Sequence, residues 1–178
     1  MTTVALVGLP GSGKTTIGKL LARRLARPFV DSDHVIEDRL GCPIRVFWEQ
    51  QGEEAFRDVE QAVIADLSAP GGEDKVLATG GGSVLREANR LQLRAGTHVI
   101  YLRTTPEQIY NRVRNDRKRP LLQVEDPMAR LRALHGQRDP LYREAAHLTV
   151  DTGRPTLQTL VNIIVMQLEL AGVLAKPA

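Results

Sequence analysis

Residues 8–15 read GLPGSGKT, between the apolar run TVALV (3–7) and the helical pattern KTTIGKLLARRLA. The string fits G-x-x-x-x-G-K-[ST], and it follows a strand and opens a helix, the context that a phosphate-binding loop requires. Gly8, Gly11 and Gly13 let backbone N–H groups turn inward around phosphate oxygens, where a β-carbon would clash or bar a positive φ. The first turn of the helix adds its own unpaired N–H groups and the positive end of its dipole. Lys14 can then reach the β- and γ-phosphate oxygens, and the Thr15 hydroxyl can ligate Mg²⁺. The expected nucleotide-binding set is therefore Gly11, Ser12, Gly13, Lys14, Thr15 and Thr16, with ATP and Mg²⁺ as the ligands.

The rest of the chain alternates in the same way. Four more runs are continuous and apolar where an exposed strand would alternate, and they read as buried parallel strands: PFVD (28–31), KVLAT (75–79), HVIYL (98–102) and HLTV (147–150). Helical patterns lie between them. Ile17, Leu20, Leu21 and Leu25 share one face, Phe56, Val59, Val63 and Leu67 another, and LQTLVNIIVMQLELAG closes the chain with Pro155 before it and Gly172 near its end. Such alternation is the signature of an α/β sheet covered on both faces, in which ligands gather at the carboxyl ends of the strands. Two stretches break the rhythm. Residues 32–52 supply two short helical pieces with a break at Gly41–Pro43, and residues 115–127, NDRKRPLLQVEDP, are polar, charged and punctuated by Pro120 and Pro127. Long irregular segments inside a compact domain are usually functional or mobile. They are read as a substrate-binding region (about 32–62) and a lid (about 112–127) within one domain spanning 1–178.

Composition removes other classes. A chain of 178 residues has room for one full core. The net charge of +3 is carried mostly by arginine, whose planar fork meets carboxylate and phosphate with paired hydrogen bonds. With three Phe, three Tyr, one Trp and no block of like charge, nucleic-acid binding is not expected. Cys42 is the only cysteine, which excludes an internal disulfide and a thiolate metal cage and fits a reducing compartment. The start lacks a basic segment followed by a long apolar one, and the last apolar stretch is interrupted by Gln167 and Glu169, well short of a span of about 20 residues. A cytoplasmic monomer with no membrane partner is the expectation.

For the second substrate, the only strand that ends in carboxylates is PFVDSD. Period-two geometry sends Asp31 and Asp33 to the same side, facing the phosphate loop, so that one steers the Mg²⁺ shell and the other orients a substrate hydroxyl. The alternative is a surface turn with Asp33 as the N-cap of the next helix. Three glycines, Gly80, Gly81 and Gly82, follow the strand KVLAT; they add no packing, and a close backbone approach to a ligand explains them better than a flexible turn. Arg57 has Glu53, Glu54 and Glu60 at i−4, i−3 and i+3, either a surface ladder or a pre-set anion contact. Arg138 can serve the same anion, or merely pair with Asp139 or Glu144. Arg119, among Arg117 and Lys118, is aimed by Pro120 or belongs to a solvated charge run.

Taken in order, GLPGSGKTT, DSD, GEEAFRDVE, GGG, RPLL, DPLYRE and VDTGRP, from about residue 4 to 155, resemble the shikimate kinase family. The resemblance implies ATP-dependent phosphorylation of the 3-hydroxyl of shikimate and a nucleoside-monophosphate-kinase-like, three-layer fold around a five-stranded parallel sheet. It implies Asp33 as the substrate-contacting aspartate and Asp31 on the Mg²⁺ side. Arg57, Arg138 and Gly80–Gly82 would hold shikimate, Arg119 would be the lid arginine, and Arg112 and Pro155 would lie near adenine. Cys42 and Trp48 depart from the usual small or aliphatic residues of the family, and NDRKR makes the lid unusually basic. Trp48 reads as subdomain packing and Cys42 as inert. A gluconate or nucleotide kinase of similar architecture, and a non-catalytic nucleotide-dependent switch, are the rival readings.

Overall fold

The computed structural model describes residues 2–114 and 124–174. Along the chain, β1 (Val4–Val7) leads through the phosphate loop into α1 (Lys14–Leu25), then β2 (Phe29–Asp31), α2 (Ser32–Leu40), α3 (Ile44–Ser68) and β3 (Val76–Ala78). There follow α4 (Glu87–Gly96), β4 (His98–Arg103), α5 (Pro106–Val113), α6 (Pro127–Ala145), β5 (Leu148–Asp151) and α7 (Leu157–Leu170). All five expected strands form one parallel sheet in the order β2-β3-β1-β4-β5. The chain builds first to one side of β1 and then to the other, so β1 sits at the switch point where α/β sheets open a crevice at their carboxyl ends.

Both faces of the sheet are covered, which makes three layers. On one side Val4, Leu6, Val76, Ile100, Leu102 and Val150 pack against α1 and α7. On the other, Ala5, Val7, Leu77, Val99 and Tyr101 pack against residues of α3, α4, α5 and α6. A third cluster, Ile36, Phe56 and Val63 with Trp48, Phe47 and Ile44 packed on it, joins α2 to α3 beyond the edge strand β2. The break expected at Gly41–Pro43 is present, with Gly41 left-handed at the end of α2 (φ 67°). A second break falls at Gly52 (φ 85°, ψ 175°), which divides α3 into a short arm and the helix that carries Arg57.

Three helices, α4, α5 and α6, lie where apolar periodicity singled out none. Apolar periodicity is weak in each, although α5 carries a capping box between Thr105 and Gln108 with Pro106 at its first position. On α4 only Asn89 and Leu93 are buried, α5 has 8 residues, and α6 runs through Gly136 and Pro140. Val113 ends α5, and Pro127 begins α6, which Asp126 caps. No helix among the described residues is long and apolar enough to cross a membrane.

Candidate active site

The phosphate loop leaves β1 with Gly8 so close to β4 that a β-carbon there would lie 2.8 Å from the Leu102 carbonyl oxygen. Gly11 (φ 83°) and Gly13 (φ 94°) occupy the left-handed region, and Gly13 caps α1. The Lys14 ammonium lies along the loop, donating to the carbonyls of Gly8 (2.7 Å) and Leu9 (2.9 Å). Gly11, Gly13, Lys14, Thr15, Thr16, Arg112 and Val113 line a cleft of about 280 Å³. Ser12 is buried with its hydroxyl oxygen unpartnered. Arg112 crosses the rim of this cleft, donating to the carbonyls of Ser12 (3.3 Å) and Thr152 (3.0 Å), and so ties the loop after β5 to the phosphate loop. Pro155 stands three residues beyond Thr152, just before the Thr156 cap of α7, and does not line that cleft.

Next to the loop, the Thr15 hydroxyl donates to Asp31 Oδ2 at 3.3 Å. Two hard oxygen donors are what a Mg²⁺ held mainly by phosphate and water needs from a protein. Among the described residues there is no group of three His, Cys, Asp or Glu that would make a full cage. Asp31 ends β2 and also caps α2, accepting from the Asp33 N–H at 3.0 Å. This corrects two sequence arguments: the N-cap is Asp31, not Asp33, and Asp33 already belongs to the first turn of α2, so helical curvature, not strand periodicity, brings the carboxylates together. Asp33 is partly buried, and burial followed by the charges of Asp31, Glu60 and Glu37 pushes its pKa up to about 6, against the pull of Lys14. A carboxylate tuned to that value is suited to proton traffic near neutral pH.

Arg57 is not on a surface ladder. It is 7% exposed and bonds at 2.7 Å through Nη1 to Glu60, itself 1% exposed. Glu53 stands at 3.5 Å, while Glu54 has turned away to Arg86. The guanidinium lies 5.4 Å from the Trp48 ring centre and 5.1 Å from that of Phe56, whose own centres are 5.1 Å apart. Trp48 therefore packs the subdomain as expected and, beyond that, braces Arg57 by its ring face. Glu60, missed as a functional residue, had one usable signal: an acid three residues beyond a candidate anion-binding arginine on the buried side of its helix.

The three glycines meet this group from β3. A β-carbon at Gly80 would come within 2.9 Å of Asp33 Oδ1 and 3.3 Å of Glu60 Oε2. At Gly81 it would strike the Pro10 ring at 2.6 Å, and at Gly82 the Arg57 guanidinium at 2.6 Å. The space spared by the missing side chains is filled by protein groups from the phosphate loop, α2 and α3. Ser32, also missed, accepts through its hydroxyl from the Gly80 N–H at 3.2 Å, which ties the start of α2 to this loop.

Arg138 arrives from α6. The two acids offered as its bland partners are engaged elsewhere: Asp139 accepts from Tyr101 (2.7 Å) and Arg143 (2.8 Å), and Glu144 faces Arg90 (3.0 Å). Arg138 lies instead against the Tyr142 hydroxyl, and its Nε is buried without a partner, as is that of Arg57. The lid arginine, Arg119, lies outside the described residues.

Comparison with known protein families matches this chain to one profile. That profile, described as shikimate kinase, matches residues 10–169. A shikimate kinase of Burkholderia thailandensis is 54% identical over 174 residues, 98% of this chain and 94% of that one. One of Ralstonia nicotianae is 53% identical over 178 residues, 100% of this chain and 93% of its own. Among solved structures, shikimate kinase from Acinetobacter baumannii in complex with shikimate is 43% identical, with a TM-score of 0.87 over 98% of this chain and 96% of that one.

Proposed function

This chain belongs to the shikimate kinase family, and we propose that it transfers the terminal phosphoryl group of ATP to the 3-hydroxyl of shikimate, giving shikimate 3-phosphate on the route to chorismate. The bond from phosphorus to the β–γ bridging oxygen breaks, the bond to the acceptor oxygen forms, and ADP leaves. The hydroxyl proton passes to Asp33 and from there to solvent. Backbone N–H groups of residues 11–16 and the Lys14 ammonium hold the phosphates, with Arg112 and Pro155 toward the base. Thr15 and Asp31 would hold Mg²⁺, which would supply positive charge to offset that of the phosphates. Arg57, Arg138 and the Gly80–Gly82 amides receive the acid end of the substrate, and Arg119 closes over both from a lid. Catalysis is then mainly alignment and charge stabilisation.

One observation carries this reading: a carboxylate poised near pH 6, the nucleotide loop and a buried arginine held by its own acid converge on the same three glycines. Residues 32–62 form the acceptor side of a single domain, and the enzyme is a cytoplasmic monomer. A coupled ADP-release assay with shikimate, gluconate and AMP tests the assignment. Turnover with shikimate is expected, and transfer to gluconate or AMP alone would overturn it. Size-exclusion chromatography with light scattering checks the monomer.

A further inference from the structure

Tyr142 sits on α6, one helical turn past Arg138, and is fully buried. Its hydroxyl donates to the Gly81 carbonyl at 2.6 Å, the shortest tie between α6 and the glycine loop, and the Arg138 guanidinium makes a polar contact with the same oxygen. The ring cannot swing away, because it stacks on Tyr101 at 5.0 Å, and the Tyr101 hydroxyl is itself bonded to Asp139 at 2.7 Å. The carbonyls that follow are held as well: Gly82 by the Leu85 N–H (3.1 Å), Ser83 by Asn89 (2.9 Å), and Val84 and Leu85 by Arg90 (2.9 and 3.2 Å). In a trans peptide the carbonyl and the following N–H point in opposite directions. Holding the Gly81 carbonyl against Tyr142 therefore turns the Gly82 N–H away from α6, on the residue whose missing β-carbon abuts Arg57.

We propose that Tyr142 is a positioning residue for the acid substrate, its hydroxyl locking the glycine loop and Arg138 in one relative orientation so that peptide amides and both arginines converge on a carboxylate. The proposal rests on the reading of Arg138 and Gly80–Gly82 as substrate contacts. As a positioning residue, Tyr142 touches neither substrate nor nucleotide. Burial holds its phenol at about pKa 12, against the opposing charge of Arg138, so it remains a donor throughout the working range of pH.

Tyr142→Phe keeps the ring and its stack and deletes only the hydroxyl. The expected result is a rise of about tenfold in KM for shikimate, the scale of one lost hydrogen bond at a substrate-aligning group, with KM for ATP unchanged and kcat within about twofold. Tyr101→Phe strips the other hydroxyl of the stacked pair and leaves Gly81 alone, so it should lower Tm without moving KM for shikimate. A Tyr142→Phe protein that loses Tm but keeps its KM for shikimate, or in which both KM values rise together, overturns the proposal. Arg138→Met separates the layers: if it leaves KM for shikimate unchanged, the underlying site reading fails; if it raises KM while Tyr142→Phe does not, only the inference about Tyr142 fails. Should Tyr142→Phe not fold, a fluorinated tyrosine placed at 142 lowers the phenol pKa and converts the donor into phenolate at accessible pH. Shikimate affinity must then fall as pH rises, unlike that of the unmodified chain, and a flat profile refutes the proposal.

Discussion

One substitution, glycine to alanine, made in turn at positions 80, 81 and 82 should damage three different steps. None of the three has a positive φ, so alanine is not barred by its backbone and the cost comes from what the new methyl meets. At Gly82 it comes 2.6 and 2.7 Å from the two Nη atoms of Arg57. That guanidinium cannot retreat freely, being 7% exposed, bonded at 2.7 Å to Glu60 and backed by the Trp48 and Phe56 rings. It must shift by about 1 Å to restore ordinary contact, and such overpacking costs about 1–3 kcal/mol. If most of that appears as lost alignment of Arg57, KM for shikimate rises roughly 10- to 100-fold while KM for ATP holds. At Gly81 the methyl meets Pro10 in the phosphate loop, at 2.6 Å from Cδ and 3.1 Å from its backbone nitrogen, so the rise should be in KM for ATP. At Gly80 it presses on Asp33 Oδ1 at 2.9 Å, so kcat should fall. Steady-state kinetics with each substrate varied in turn, beside a melting curve for each variant, reads all three. If all three variants lose the same parameter, or lose only Tm, the glycines serve general packing and the reasoning is wrong.

Other outcomes follow from the same contacts. With the Asp33 pKa at about 6, kcat/KM should climb as pH rises through 6, and the residual activity of Asp33→Asn should lack that limb. The linked stability runs the opposite way: between pH 3.8 and about 6 the folded chain holds the Asp33 proton more tightly than the unfolded one, so this group's contribution declines as pH rises through that window. Denaturant titrations of both proteins at pH 4 and 7 should show Asp33→Asn gaining relative stability at the higher pH. At the amino ends of β4 and β5, His98 and His147 stack at 4.8 Å, and His147 Nδ1 accepts from the Val99 N–H at 3.0 Å. Burial lowers both pKa values, so their contribution is complete above the ordinary histidine value and is lost as pH falls below it. His98→Gln should blunt the fall in Tm between pH 7 and 5 and leave kcat at pH 7 unchanged. Arg57→Ala strands Glu60, and breaking a buried pair from one side costs about 3–5 kcal/mol. Arg57→Ala/Glu60→Gln should recover much of that in chemical denaturation without restoring KM for shikimate, and equal stability of the single and double variants would contradict the pairing.

The chain's order of letters was enough to specify strand, phosphate loop and helix at residues 3–25, the five parallel strands and the break at Gly41–Pro43, because each depends on neighbours within a few residues: apolar runs, glycine φ angles and capping. The nucleotide loop was legible for the same reason, and so was the candidacy of Asp31, Asp33, Arg57 and Arg138, each a charged group at the end of a strand or inside a distinctive string. Helices α4 and α6 were not, since short or interrupted helices take their stability from the sheet they cover, and α5 showed itself locally only through its Thr105–Gln108 cap.

What only tertiary structure decided is which partner each of those groups keeps. Arg57 has three acids within helical reach, and burial between α3 and the glycine loop selects Glu60. Arg138 has two adjacent acids, and both are drawn off by Tyr101, Arg143 and Arg90, leaving it beside Tyr142. Local sequence sets which contacts are possible. The choice among them depends on desolvation and on competing donors from distant parts of the chain, such as Tyr101 on Asp139, 38 positions away, and no window along the chain contains them.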